Sequence, residues 1–152
     1  MDKADFMRRA IELSAESKRK SGDQPFGAVV VKDGKILGEG RNRIRSLIDP
    51  TAHSEVVAIR AAAANLGSGN LAGCEIYTSC EPCPMCWMAI RYARIDRVHY
   101  GCSAATASQM GFGHGSLPQE LTGPIGERGV PAEPMMTAEA VAALEAWLNP
   151  SG

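Results

Sequence analysis

Apolar residues recur at helical spacing from the start of the chain. Phe6, Ala10, Leu13 and Ser17 fall on one stripe, with Met7, Ile11 and Ser14 beside it, and Gly22 follows. This pattern predicts an amphipathic helix over residues 3–20 that ends at the glycine. The period then changes. PFGAVVV (25–31) is a short continuous apolar run and predicts a buried strand. Asp33-Gly34 is a hairpin signal, and residues 35–43 return as a second strand. Gly27, Gly38 and Gly40 within these two strands mark bulges or a close backbone approach.

After the loop RSLIDPT (45–51), Pro50 and Thr51 open a helix over about residues 52–65, closed by Gly67. CEIYTS (74–79) is a third strand, residues 83–93 a third helix introduced by Pro82 and Pro84, and DRVHYG (96–101) a fourth strand. The order αββαβαβ predicts an α/β domain whose sheet is at least partly parallel. Residues 103–134 break the pattern. Six glycines lie between Gly111 and Gly129, with Pro118 and Pro124 among them. So long an irregular segment in a compact domain predicts a lid, a binding loop or a disordered stretch, here read as lid-like. A last helix is expected over 137–149, with Thr137 as N-cap and Val141, Leu144 and Leu148 on one face. Neither a repeat nor a linker divides the 152 residues, so one domain is expected over 1–152.

Composition narrows the function. Hydrophobic residues make up 45% of the chain and charged residues 22%, as in ordinary globular proteins. The net charge of -1 lacks the basic surplus of a nucleic-acid binder, so a nucleic-acid partner is not expected. Neither a signal peptide nor an apolar run long enough to span a membrane is present, and the cytoplasm is the expected location. Five cysteines cannot all pair internally, and two of them form a C-x-x-C. That usage points to a metal or redox site rather than a disulfide framework.

The chemistry concentrates in His53-Ser54-Glu55 and Pro82-Cys83-Pro84-Met85-Cys86. Cys83 and Cys86 are three apart at a helix start, so their sulfurs share one face. With His53 they make three zinc ligands, and no convincing fourth is found. Catalytic zinc sites leave that position to water, whereas structural sites close it with protein. Helix N-termini favour the thiolates. Glu55 is two residues from His53, and positions i and i+2 of a helix diverge. Both reach one cavity only if His53 sits at the cap or in the first turn. On that condition Glu55 is the proton shuttle of a hydrolytic deamination. H-x-E followed by P-C-x-x-C is the known signature of zinc deaminases. A zinc-stabilised binding module without activity is the alternative of a different class, and a fourth protein ligand would mark it.

On these motifs the chain resembles the cytidine deaminase-like superfamily, in particular its guanine deaminase and nucleoside deaminase branch. The resemblance covers about residues 4–115, through PFGAVVV (25–31), GEGRNR (38–43), DPTAHSEVVAIR (49–60) and YTSCEPCPMCWMAIRYAR (77–94). It implies a three-layer α/β/α fold with a mixed sheet of about five strands. It also implies one zinc per chain and a homodimer, in the guanine branch with exchanged C-terminal segments. The implied substrate is a purine base or close analogue, with a cytosine-type base, a nucleoside or tRNA adenosine as alternatives.

Several site roles follow from the resemblance alone. Asn42 bonds the ring, Phe26 packs on it and Tyr92 stands where relatives place an aromatic residue. The Glu81 carbonyl and the Cys83 N–H face the reacting carbon and its amine. The sequence also departs from the pattern. Guanine deaminases carry an acid shortly after a Gly-Phe, to read the purine N–H and amino group. Here Gly111-Phe112 is followed by Gly113-His114, which puts guanine itself in doubt as the preferred ring. His99 reads as a satisfied or solvated histidine. Cys74, Cys80 and Cys102 read as buried thiols, with Cys80 near the zinc loop. Arg41, Arg43 and Arg45 read as a solvated edge.

Overall fold

The computed structural model describes residues 1–113 and 117–149. Two compact units divide the chain, Met1–His114 and Gly115–Gly152. In the first, α1 (Lys3–Ser21) begins with a capping box in which Asp2 and Asp5 each accept the other's backbone N–H. It ends at Gly22, whose left-handed backbone (φ 72°) suits glycine. A hairpin of β1 (Gly27–Lys32) and β2 (Lys35–Arg41) follows. Its turn residues Asp33 and Gly34 both have positive φ, as the right-handed twist of the flanking strands prefers.

The short helix α2 (Ile44–Leu47) lies where a plain loop was expected, because Asp23 accepts the backbone N–H groups of Arg45 and Ser46. Then come α3 (Ser54–Leu66), β3 (Cys74–Cys80), α4 (Pro84–Tyr92), β4 (Arg97–Cys102) and α5 (Ala104–Gln109).

The sheet order is β2-β1-β3-β4. β1 pairs antiparallel with both β2 and β3, while β3 and β4, joined through α4, are parallel. Because β1 is central and Gly27–Val31 are buried on both faces, its sequence is an unbroken apolar run. Val29, Val31 and Tyr77 pack with Phe6 and Leu13 of α1 on one face. Ala28, Val30, Cys74 and Ile76 pack with Ala58, Ala62 and Ile90 of α3 and α4 on the other. The unit is the three-layer α/β/α arrangement implied by the sequence.

The sheet has four strands among the described residues, not five. After β4, Ser103 caps α5 by accepting the N–H of Thr106. The stretch beyond it carries Pro118, Pro124, Pro131 and Pro134, each lacking the N–H a ladder needs. The second unit holds α6 (Leu117–Glu120), a 3-10 turn (Ile125–Glu127) and α7 (Thr137–Leu148). Met136, with φ 50°, takes the N-cap of α7, so Thr137 is the first helical residue rather than the cap. No helix among the described residues is long and apolar enough to cross a membrane.

One contact positions the site. A Cβ on Gly40 would stand 2.2 Å from the Ser54 carbonyl oxygen and 2.4 Å from the Ala58 nitrogen. On Gly38 it would meet the Ala62 nitrogen at 2.4 Å. The two glycines therefore let α3 lie with its backbone against β2. Gly40→Ala should lower unfolding stability by about 1–3 kcal/mol, the usual range for overpacking. Urea denaturation of wild type and variant checks this, and an unchanged midpoint would contradict the contact.

Candidate metal centre and active site

The N-termini of α3 and α4 bring the predicted residues together. His53 is the N-cap of α3 with extended backbone (φ -66°, ψ 155°), and Glu55 lies in the first turn. This meets the condition for the two side chains to converge. Cys83 is the N-cap of α4, Pro84 opens the helix and Cys86 lies in its first turn. The Nδ1 of His53 is 3.6 Å from the Cys83 Sγ and 3.4 Å from the Cys86 Sγ. All three donor atoms lie within 4.8 Å of one another. Zinc bound tetrahedrally, with Zn–S of ~2.3 Å and Zn–N of ~2.0 Å, requires N···S separations of about 3.5 Å. The donor set therefore fits zinc, and among the described residues it comprises these three.

The electrostatics point the same way. A hydrogen bond from Cys86, helped by His53, holds the Cys83 thiol down at about 4. The neighbouring Cys83, then burial and Glu55, push the Cys86 thiol upward. The pair thus releases one proton easily and the second only against two negative neighbours. A divalent cation between the sulfurs removes that opposition. The Cys83 sulfur also raises the proton affinity of His53, against the effect of burial.

Glu55 is buried, with 7% of its surface exposed, and accepts a hydrogen bond from the Ser54 hydroxyl. Ser54, itself buried, had no signal in the sequence beyond its place in the motif. Asn42 follows β2 and is 2% exposed. Its N–H donates to the Phe26 carbonyl (3.0 Å), and its carbonyl accepts from the Ser17 hydroxyl (2.6 Å). The next residue, Arg43, donates its N–H to the Ala52 carbonyl, tying this loop to the segment that carries His53. Asn42 also lines a cavity of about 370 Å³ with Gly22, Asp23, Gln24, Ile44 and Arg45. Of these, Arg45 had been assigned to a solvated edge and the others to no site.

Phe26 is half-buried and meets Phe112 edge-on, with centroids 5.6 Å apart. Glu81 donates its N–H to the Cys102 carbonyl (2.8 Å), and its carboxylate accepts from the Ala104 N–H (3.3 Å). Tyr92 is not brought to the cluster within the chain. It ends α4 at the opposite end from Cys83 and is 83% exposed. His114 lies outside the described residues. His99 is satisfied, with its Nε2 2.9 Å from Glu75 Oε2 and its ring stacked on Tyr77. Cys74 is buried as expected, but Cys80 and Cys102 are only half-buried, since they stand at the open ends of their strands.

Residues 1–102 match the family described as the cytidine and deoxycytidylate deaminase zinc-binding region. The chain belongs to this deaminase family. Guanine deaminase of Bacillus subtilis is 42% identical over 98% of this chain and 96% of its own length. The X-ray structure of that protein superposes with a TM-score of 0.93, covering 98% of this chain and 95% of the other. A tRNA-specific adenosine deaminase of Agrobacterium fabrum is 42% identical over 66% of this chain and 65% of its own. The structure of guanine deaminase from Nitrosomonas europaea has a TM-score of 0.71 at 25% identity, covering 99% of this chain and 86% of the other. The deaminase is thus a zinc-dependent enzyme that hydrolyses a ring C–NH2 to C=O with release of ammonia.

Metal analysis should find one zinc per chain in the wild-type protein. Cys86→Ser or His53→Ala should leave less than about a tenth of that, since each removes one of only three protein ligands. Full zinc occupancy in either variant would show that the metal sits elsewhere.

Proposed function

We propose that this deaminase acts on a free purine nucleobase or a close analogue, with His53, Cys83 and Cys86 as zinc ligands and Glu55 as the proton shuttle. The observation that carries the reading is the convergence of three donors and one buried carboxylate at the two helix N-termini. When bound, zinc lowers the pKa of a coordinated water and supplies the nucleophile. Glu55 takes the proton of the attacking water, passes it to a ring nitrogen and later protonates the departing amine. Ser54 steadies the carboxylate for both transfers. Asn42 bonds the ring and Phe26 packs on its face, with the Glu81 carbonyl and Cys83 N–H lining the reacting edge.

A purine base is favoured over tRNA adenosine because the likeness to the Bacillus subtilis guanine deaminase runs the length of the chain, whereas the tRNA deaminase matches about two thirds of it. The net charge of -1 also offers little to a polyphosphate backbone. A homodimer is the proposed working unit. Trp87, Met88 and Tyr92 of α4 stand exposed in the single chain and suit burial against a second copy. The cytoplasm, which keeps thiols reduced, suits the five free cysteines.

Glu55→Ala should keep its zinc and lose at least ~100-fold in kcat, the usual worth of general acid–base catalysis. Metal analysis paired with ammonia-release kinetics measures both. Retained activity would remove Glu55 from the proton path.

The substrate prediction turns on His114. A neutral imidazole offers one hydrogen bond, whereas a carboxylate offers two acceptor oxygens to an N–H and amino pair. An unmatched buried donor costs ~1–3 kcal/mol. An ammonia-release screen across purines, pterins, triazines, pyrimidines and nucleosides should rank guanine roughly 10-fold or more below the best purine-like ring. His114→Asp should raise guanine turnover relative to that ring. If wild type prefers guanine, or the substitution leaves the ranking unchanged, His114 does not read the substrate.

A further inference from the structure

Two cysteines remain outside the zinc set. The parallel register of β3 and β4 places Cys80 directly opposite Cys102, at the C-terminal ends of both strands. Neighbouring strands lie about 4.8 Å apart. That spacing falls inside the roughly 4.4–6.8 Å between Cα atoms that a disulfide needs. Both residues are free and half-buried, and the Cys102 thiol donates to the Ser103 carbonyl at 3.5 Å. By strand alternation Cys80 shares a sheet face with Cys74 and Ile76, the face covered by α3 and α4. The field of Glu55 reaches its sulfur. Glu81, which starts the loop to Cys83, is bonded through its N–H to the Cys102 carbonyl at 2.8 Å. The dithiol thus stands where the metal-binding loop leaves the sheet.

We propose that Cys80 and Cys102 form a redox-modification site, closed to a disulfide by hydroperoxides, that reversibly lowers deaminase activity. The Cys102 thiol attacks the hydroperoxide, the O–O bond breaks, and its proton leaves with the alcohol or water as Cys102 becomes a sulfenic acid. The Cys80 sulfur then attacks the Cys102 sulfur. The hydroxyl group leaves with the Cys80 proton as water, and the S–S bond forms. In total two thiols lose two electrons and the hydroperoxide gains them. Burial, with Cys102 and Glu55 nearby, pushes the Cys80 thiol up to about 11. It therefore stays protonated near neutral pH, which suits it to the second step, where its proton leaves with the hydroxyl. Closure takes the Cys102 thiol off the Ser103 carbonyl and draws the two sulfurs to bonding distance, about 2.05 Å. The displacement enters the chain one residue before Glu81 and so shifts the loop that carries Cys83.

The test uses the zinc-loaded protein treated with a modest excess of hydrogen peroxide. Intact mass, peptide mapping, zinc content and ammonia release are read together. The expected result is a loss of two hydrogens, a Cys80–Cys102 cross-linked peptide and retained zinc. Activity should fall about 10-fold or more, as displacements of an ångström at a catalytic centre produce, and dithiothreitol should restore it. Cys102→Ser treated alike should show no cross-link and keep both zinc and activity. The site is overturned if the cross-link joins Cys83 and Cys86 with release of zinc, or if Cys80 and Cys102 stay open to alkylation. A Cys80–Cys102 cross-link with unchanged activity overturns the regulatory role. The mass, mapping and zinc readouts do not depend on the substrate, so failure of the purine reading would be distinguishable.

Discussion

Three donors from two helices must meet within 4.8 Å, and the positions of α3 and α4 in the fold serve that requirement. Helix α4 is set by its short loop from β3, which Glu81 pins to the neighbouring strand through the Cys102 carbonyl. Helix α3 is set by contact of its backbone with β2, where Gly38 and Gly40 leave no side chain between helix and sheet. A side chain at Gly40 would push the N-terminal turn of α3, and His53 with it, by more than the ~0.2 Å that metal–ligand distances tolerate. The small residues of α3 that face the sheet, Ala58 and Ala62, belong to the same constraint.

The cap positions convert this placement into chemistry. A residue at an N-cap has extended backbone, so its side chain leaves in a direction the helix proper does not offer. His53 and Cys83 both occupy such positions, which lets each converge with a partner in the first turn, Glu55 and Cys86. Both helix dipoles then direct their positive ends at the same point, favouring thiolate, carboxylate and the charge that develops during hydrolysis. Without a cation, the two thiols oppose one another's second ionisation. The protein has assembled negative charge that a metal completes, and Glu55 beside it is buried away from bulk solvent.

The order of helices and strands in the first unit, the hairpin turn, the glycine approach and the metal ligands were legible in the sequence because each rests on local spacing. Period, turn chemistry and motif residues act over a few positions, and tertiary packing reinforced them. The short helix α2 escaped notice because its cap, Asp23, comes from the far side of the hairpin. The Ser54–Glu55 bond escaped because adjacent residues in a motif carry no orientation until the helix is seated. Tyr92 shows the converse. A position assigned by resemblance stands exposed in the single chain, at the end of α4 away from Cys83.

By itself the sequence determined the ligand set and the α/β alternation, since these depend on residue type and short-range geometry. The tertiary structure decided what depends on partners distant in sequence. It set the four-strand order, the cavity where Asn42 meets Gly22 and Arg45, and the edge contact of Phe26 with Phe112. It also decided the pairing of Cys80 with Cys102, which read as separate buried thiols until parallel strands placed them in register. Strand pairing of that kind carries no local signature, because the crossover through α4 sets the register from outside both strands.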